Sequence, residues 1–358
     1  MTKGKQIKPP SVVGMGLITL DLVEDRIVRN DTRPFAGGTC GNVLAILSYL
    51  GWESVPLSRL LVDCAGSYVS DDLRACGVSV DYLSLYPQAS TPIIVQKLRR
   101  NRSGDPSHSY SFVCPKCDSW LPQFRPVLNS SIDKVVELIE SPRVFFFDRV
   151  SRSSLTVAEH FKNNGSVIYF EPSGVGQEEM FNEAVKLSDI VKYASNRGRR
   201  IRALLEENRP AIEIETLGSD GIRYRSTLSN LESANWTHIA PASARVVDAS
   251  GAGDWFTSGM IDSLFSKGTQ GIEQISDKSF KALVKRSQEI SALSCGYVGP
   301  RGLMYEGNAG KADSLIPHRF DFQSETRTRP RIRAEKSFLE SKYGCPKCCP
   351  QTVRDKSN

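Results

Sequence analysis

The sequence predicts an α/β fold in which helices cover both faces of a mostly parallel sheet. From residue 144 onward, short apolar segments alternate with helical segments of about 10–15 residues, which is the pattern of parallel strands joined by crossover helices. The chain begins its folded part with a continuous apolar run, SVVGMGLITLDLVE at 11–24, which is typical of a strand buried on both faces. We expect the carboxyl end of this strand to deliver Asp21 to a cleft.

The elements follow in order along the chain. The segment 36–51, AGGTCGNVLAILSYLG, predicts a glycine-rich turn followed by a helix that stops at Gly51. Three strands are expected at 54–62, 77–86 and 91–99, with a short helix, DDLRACG, between the first two. The polar, proline-rich segment 103–126 predicts an irregular excursion. The later strands are expected at 144–148, 166–172, 190–194 and 211–218, and the helices between them at 153–165, 177–189 and 196–209.

The charge is concentrated at one end of the chain. Of the net charge of +6 over 358 residues, residues 311–358 carry +5, so the remainder is close to neutral. A neutral body argues against a general nucleic-acid surface. Arg327, Arg329, Arg331 and Arg333 alternate in this tail and fit either a solvated segment or an anion contact. Neither a spanning helix nor a secretory leader is indicated, so a cytoplasmic protein is expected.

Four of the nine cysteines form two nearly identical pairs, Cys114-Pro-Lys-Cys117 and Cys345-Pro-Lys-Cys348. Thiolates are good Zn²⁺ ligands, and two Cys-x-x-Cys turns complete a tetrahedral site. We therefore predict a structural zinc site that links the C-terminal tail to the excursion, with Cys349 as a substitute ligand. Two redox-active dithiols, or unrelated thiols, are the alternatives.

The most informative segment is RVVDASGAGDWFTSGMIDSLF at 245–265. Two glycines at the start of a helix let backbone N–H groups converge on an anion, where the helix dipole also favours negative charge. Asp254 at the mouth of such a cradle would lie beside a bound phosphate, where it could accept a proton from an attacking hydroxyl. The spacing alone fits equally well a helix whose Ser and Asp cap its N-terminus.

Here the sequence resembles the ribokinase (PfkB-type) carbohydrate kinases. DASGAGDWFTSG is similar to the C-terminal signature of that family, and AGGTCGNVLAILSYLG to its N-terminal signature. GMGLITLD resembles the first strand, TLGSDGIRY the segment beside the nucleotide phosphates, and CGYVGPRG the segment near the adenine. These five matches occur in the family's order over roughly residues 11–305.

The resemblance implies a ribokinase-like three-layer α/β/α sandwich with a small β lid, formed here by about 22–35 and 88–125. It also implies the roles of individual residues. Asp254 would be the catalytic base, with the N–H groups of Gly251, Ala252 and Gly253 as the anion hole. Asp21, Gly38 and Asn42 would bind the sugar, and Gly218, Ser219, Gly221 and Ser250 the nucleotide.

One family motif is missing. The Asn-x-x-Glu that organises Mg²⁺ through water does not occur after the strand at 190–194, where Asn196 is followed by Arg197, Gly198 and Arg199. Either Glu171 supplies the carboxylate, or the metal is held mainly by the nucleotide phosphates and water.

The predicted function is that of an ATP- and Mg²⁺-dependent carbohydrate kinase, which phosphorylates a hydroxyl of a sugar or sugar-like molecule. A nucleoside kinase of the same fold and a catalytically silent, zinc-stabilised binding or regulatory protein are the alternatives. We expect a kinase domain over 1–314 and a basic extension over 315–358. The resemblance leaves open a homodimer whose lids pair.

Overall fold

The structure is a computed structural model, and it describes residues 9–27, 31–86, 89–102, 104, 106–231, 234–266, 272–306, 345 and 347. The strands are β1 (Ser11–Met15), β2 (Thr19–Asp25), β3 (Asp31–Gly37), β4 (Glu53–Leu61), β5 (Leu83–Tyr86), β6 (Ile93–Arg100), β7 (Pro106–Ser111), β8 (Val144–Phe147), β9 (Val167–Phe170), β10 (Ile190–Ala194), β11 (Ile212–Thr216), β12 (Ile222–Ser226) and β13 (Thr237–Ile239). The α-helices are α1 (Thr39–Tyr49), α2 (Cys64–Ala75), α3 (Asn129–Leu138), α4 (Arg152–Asn163), α5 (Glu178–Leu187), α6 (Gly198–Glu207), α7 (Ala252–Phe265), α8 (Asp277–Ser294) and α9 (Gly302–Glu306).

The larger sheet has the strand order β13-β12-β11-β10-β9-β8-β1-β4-β5 among the described residues. The strands from β11 to β5 are parallel, while β12 and β13 add an antiparallel edge. The predicted parallel sheet is therefore confirmed, and the fold class is that of a ribokinase-like α/β sandwich.

Apolar side chains on both faces of this sheet explain why helices cover each of the two faces. Phe145 and Phe147 of β8 pack into one buried cluster, which α4, α5 and α6 complete. Phe146, between them, packs into the opposite cluster with side chains of α1, α7 and α8. Successive side chains of a strand point to opposite faces, so a run of four apolar residues requires a cover on each side.

A second, four-stranded sheet has the order β3-β2-β6-β7 and lies apart from the larger one in its hydrogen bonding. Strand β2 pairs antiparallel with β3 and parallel with β6, and β6 pairs antiparallel with β7. We refer to these four strands as the lid sheet.

The prediction of one strand over 11–24 was wrong. The chain leaves the larger sheet after Met15, and the N–H of Leu17 donates to Oδ1 of Asp148 at 2.8 Å. The carboxylate of Asp148 occupies the space beside Gly16, where an added Cβ would lie 1.7 Å from its Oδ1. The apolar pattern continues through the break because β2 is also buried, so Asp21 lies within the lid sheet and not at the end of the first strand.

Two further expectations need correction. The strand expected at 77–86 is limited to Leu83–Tyr86, and the excursion at 103–126 contributes β7 to the lid sheet. Helix α3 follows the excursion and was not predicted. Among the helices that the structure describes, none is both long and apolar enough to cross a bilayer.

The extension at 315–358 lies outside the described residues except for Cys345 and Lys347. Cys348, Cys349 and the alternating arginines are therefore not described, and the division of the chain at residue 314 stays a prediction.

Candidate active site

Helix α7 begins in the glycine-rich loop that the sequence singled out. Gly251 precedes its first residue with φ 75°, a left-handed conformation that favours glycine. A Cβ at this position would also lie 2.6 Å from Cα of Pro300. The first N–H groups of a helix have no partner within the helix. The N–H of Ala252 donates to the carbonyl of Ala249 at 3.2 Å. In this arrangement, the anion cradle consists of the N–H groups of the neighbouring glycines, Gly251 and Gly253.

The side chain of Asp254 lies in the first turn of α7 and is 9% exposed. Its Oδ2 accepts a hydrogen bond from Nδ2 of Asn42 at 2.8 Å. Burial raises the pKa of Asp254 well above its ordinary value, and the nearby carboxylate of Glu171 adds to the rise. The hydrogen bond from Asn42 and the charge of Lys192 oppose it. A carboxylate with a raised pKa is a stronger proton acceptor, which suits a general base.

Asp21 of β2 is the second buried carboxylate of the site. It accepts hydrogen bonds from Oγ1 of Thr19 and from the N–H of Gly38. Burial raises its pKa from 3.8 to about 6, although these hydrogen bonds and the charge of Arg301 oppose the rise. Its carboxylate lies against the backbone of Gly37, where an added Cβ would be 1.9 Å from Oδ2.

A narrow pocket separates the lid sheet from the segment that precedes α9. Its lining residues are Asp21, Arg33, Phe35, Ala36, Asn42, Val298, Gly299, Pro300, Arg301, Gly302, Tyr305 and Glu306. Asp21 and Asn42 therefore both line this pocket. Asp254 is not among the lining residues, and its hydrogen bond with Asn42 connects it to them. Oδ1 of Asn42 is buried and has no hydrogen-bond partner among the described residues.

Sequence reasoning missed Arg301. Its guanidinium is 2% exposed, donates to the carbonyl of Ala36 at 2.6 Å and pairs with the carboxylate of Asp72. It thereby ties the segment before α9 to the lid strand β3 and to helix α2. Its position in the segment GPRG, inside a recognised motif, was the available signal, but only the tertiary contact shows that the side chain turns toward the lid.

A buried ion pair lies on the other side of Asp254. Nζ of Lys192, in the middle of β10, donates to Glu171 at 2.6 Å and to the carbonyl of Gly253 at 3.2 Å. The other oxygen of Glu171 accepts from Thr257 at 2.7 Å. Lys192 thus holds one positive charge against the first turn of α7.

The predicted nucleotide-binding residues lie in two places. Gly218, Ser219 and Gly221 lie in the turn between β11 and β12, with φ of 64° at Gly218 and 92° at Gly221. Gly218 and Ser219 are exposed, whereas Gly221 is buried. Ser250, in contrast, is buried beside Asp248, to which its Oγ donates at 2.6 Å. The turn is open to a ligand, whereas Ser250 faces the lid sheet.

Three predicted zinc ligands come together. The sulfur atoms of Cys114, Cys117 and Cys345 all lie within 4.8 Å of one another, and those of Cys117 and Cys345 are 3.8 Å apart. The N–H groups of Lys116 and Cys117 donate to the sulfur of Cys114. Burial raises the pKa of the Cys114 thiol, and these two hydrogen bonds, which favour the metal-binding thiolate, oppose the rise.

The comparisons with known proteins agree with this geometry. Residues 145–305 match the model of the pfkB family carbohydrate kinases. A curated relative, the fructokinase of Escherichia coli, is 25% identical over 328 residues, which cover 85% of this chain and 97% of the relative. The chain therefore resembles the PfkB carbohydrate kinases.

Solved structures of kinases share the fold of this chain. A sugar kinase from Pyrococcus horikoshii in complex with ATP has a TM-score of 0.59 at 20% identity, covering 82% of this chain and 98% of that one. The fructose, ADP and calcium ion bound form of fructokinase from Vibrio cholerae O395 gives 0.61 at 17%, covering 82% and 96%. Aminoimidazole riboside kinase from Salmonella enterica, with the riboside and an ATP analog, gives 0.62 at 18%, covering 85% and 99%.

Proposed function

We propose that this protein is an ATP-dependent kinase that phosphorylates a hydroxyl group of a sugar, with Asp254 as the general base. The observation that carries the proposal is the buried carboxylate of Asp254, held by Asn42 beside a pocket that also contains Asp21. A proton acceptor, a phosphate cradle and polar groups for a polyol thus meet in one place.

The proposed reaction needs little from the protein beyond positioning and electrostatics. The acceptor hydroxyl forms a bond from its oxygen to the γ-phosphorus of ATP as its proton passes to the carboxylate of Asp254. The bond between that phosphorus and the β–γ bridging oxygen breaks, and ADP leaves. The positive end of helix α7 and the charge of Lys192 would stabilise the negative charge that develops on the transferred group.

Two classes of acceptor remain in the proposal. The fructokinase from Vibrio cholerae was solved with fructose, and the kinase from Salmonella enterica with aminoimidazole riboside. We propose a hexose as the first choice, because the curated relative is a fructokinase. A nucleoside is the alternative, since the same fold carries both activities in these relatives.

Mg²⁺ is the proposed metal of the reaction, where it would neutralise charge on the phosphates of ATP. Glu171, the carboxylate that the sequence offered for this metal, is already engaged by Lys192 and Thr257. This donor set fits a Mg²⁺ ion held mainly by phosphates and water, with Glu171 at most a second contact.

Zn²⁺ is the proposed occupant of the cysteine cluster. Three sulfur atoms around one point are the soft donor set that zinc prefers, and Cys348 would complete the tetrahedron. Cys114 and Cys117 follow β7 of the lid sheet, whereas Cys345 belongs to the tail. The site would therefore fasten the tail to the segment that returns from the lid.

The test of the kinase proposal is an assay of ADP formation with ATP and Mg²⁺ against a panel of hexoses and ribosides. We expect one class to be phosphorylated, and Asp254→Asn to lower kcat by about 10²–10⁴-fold, the usual contribution of a general base. Asp81→Asn, an exposed carboxylate in the turn before β5, is the matched control.

Two results would contradict the proposal. If Asp254→Asn retained the wild-type kcat, the carboxylate would have no role as a base. If no acceptor were phosphorylated while a sugar still bound tightly, the protein would be a silent binding protein.

A further inference from the structure

Gln96 of the lid strand β6 reaches from the lid sheet to the glycine-rich loop. Its side chain is 1% exposed, and its Nε2 donates a hydrogen bond to Oγ of Ser250. Tyr110, the partner of Gln96 in the pairing of β6 with β7, also hydrogen-bonds Ser250 through its side chain. Two neighbouring lid residues therefore converge on one hydroxyl group of the loop.

Ser250 connects these lid residues to the start of helix α7. Its Oγ and its N–H both donate to Oδ1 of Asp248, at 2.6 and 2.9 Å. The other oxygen of Asp248 accepts from the N–H of Gly299 at 2.8 Å. Because Ser250 directly precedes Gly251, the position of the lid and the geometry of the phosphate cradle are joined by one chain of hydrogen bonds.

Of the two polar atoms of the Gln96 amide, one has a hydrogen-bond partner among the described residues and the other has none. Its Oε1 is buried and has no hydrogen-bond partner among the described residues. Asn42 shows the same pattern, since its Nδ2 donates to Asp254 while its Oδ1 is buried without a partner. Leaving a buried acceptor unsatisfied is costly, so such atoms commonly mark a place where a ligand or an ordered water completes the bonding.

We propose that Gln96 is an acceptor-binding residue whose Nε2 fixes the lid on Ser250 while its Oε1 accepts a hydrogen bond from a hydroxyl of the phosphoryl acceptor. This inference rests on the proposed kinase function. It assigns the lid a selective role, because a polyol satisfies the amide oxygen and an acceptor without a hydroxyl at that point leaves it buried and unpaired. A water molecule could also donate to this amide oxygen, but it lacks the other hydroxyl groups of a polyol and would therefore hold the lid less firmly.

The test compares Gln96→Met, which keeps the length of the side chain but removes both amide groups, with wild type. We measure kcat, the KM of the acceptor that wild type phosphorylates, the KM of ATP, and ADP formation without acceptor. The KM of the acceptor is expected to rise about tenfold or more, as for the loss of one hydrogen bond to a substrate, with the KM of ATP unchanged. ADP formation without acceptor should increase relative to transfer, because the lid excludes water less well.

Two further variants keep the result interpretable. Arg99→Met, at an exposed position of the same strand, should leave all four quantities unchanged. Gln96→Glu keeps an acceptor oxygen and should retain more acceptor affinity than Gln96→Met.

Equal acceptor KM values in wild type and Gln96→Met, at equal Tm, would overturn the inference while leaving the kinase function intact. A lower Tm with no acceptor KM difference between Gln96→Met and Gln96→Glu would reduce Gln96 to a structural residue. Wild type that transfers phosphate to nothing would overturn both proposals.

Discussion

Asn42 on helix α1 donates a hydrogen bond to the carboxylate of Asp254 on helix α7, 2.8 Å away and 212 positions later in the chain. The contact joins the two motifs that carry the family resemblance. It places an amide donor on the proposed base, where it opposes the rise in pKa that burial causes. The site is therefore a product of packing between two helices, and each helix brings one half of it.

Asp21 should make the acceptor affinity depend on pH. Its pKa is raised to about 6 by burial, so the carboxylate becomes protonated as the pH falls through 6 and loses acceptor capacity. We expect the acceptor KM to rise about tenfold between pH 7 and pH 5, one factor of ten per unit below the pKa. Steady-state kinetics across this range provide the measurement, and Asp21→Asn should show a high KM without the pH dependence. A wild-type KM that is flat from pH 7 to pH 5 would contradict this role.

The same pKa predicts the direction of a stability change. A carboxyl group whose pKa is higher in the folded protein than in the unfolded chain stabilises the fold at low pH and loses that effect as the pH rises through the folded value. The free energy of unfolding should therefore fall by about 1 kcal/mol from pH 5 to pH 7 through Asp21. Urea titrations of wild type and Asp21→Asn isolate this contribution, since the variant should lack it.

Gly37→Ala should weaken acceptor binding without touching the base. An added Cβ would lie 1.9 Å from Oδ2 of Asp21, so the carboxylate must move out of its place in the pocket. We expect kcat/KM for the acceptor to fall at least about tenfold, with an overpacking cost to stability of about 1–3 kcal/mol. Gly174→Ala is the matched control, because a Cβ there meets nothing within 4 Å. Unchanged kcat/KM in Gly37→Ala would show that Asp21 does not contact the acceptor.

Lys192→Met should destabilise the protein. It removes one partner of a pair in which Lys192 is 2% exposed, and it leaves the carboxylate of Glu171 in the interior. Breaking such a pair costs about 3–5 kcal/mol, and chemical denaturation would measure it. Adding Glu171→Gln should recover more than about 1 kcal/mol, since the uncompensated charge is then gone.

Lys162→Met is the control for this pair. Lys162 is 36% exposed and lies 3.5 Å from Asp189, so its loss should cost about 1 kcal/mol or less. Equal costs for the two lysine variants would contradict the description of the Lys192–Glu171 ion pair as buried.

The cysteine cluster should hold one zinc ion per chain. Elemental analysis of the purified full-length protein should find it in wild type and in Cys64→Ser, an exposed cysteine at the start of α2. Cys117→Ser and Cys348→Ser should each lose it, and chelation should lower the Tm of wild type by several degrees, because binding stabilises the folded form. Wild-type protein without zinc but with a Cys117–Cys345 disulfide would favour the redox alternative, whereas full zinc content in Cys117→Ser would disprove the ligand assignment.

The sequence identified the motifs but not the residues that they contact in the folded protein. Helices α4 to α7 and strands β8 to β11 follow from local pattern, because each hydrophobic period is repeated over several residues. The break after Met15 could not be predicted, since both β1 and β2 are buried and give one unbroken apolar run. The local pattern did not indicate strand β7, although the resemblance implied a β lid over about 88–125, because its sequence, PSHSYS, is polar and lies largely exposed at the edge of the lid sheet.

By itself, the sequence predicted the parallel α/β fold, the resemblance to the PfkB carbohydrate kinases and a set of candidate site residues, because these predictions depend on local periodicity and on short motifs with fixed spacing. Only the tertiary structure decided that Asn42 holds Asp254, that Lys192 and Arg301 are buried beside the site, and that Gln96 joins the lid to Ser250. Those contacts form where segments that are distant in the chain pack against each other. Such contacts leave no local pattern in the sequence, so they cannot be predicted from it.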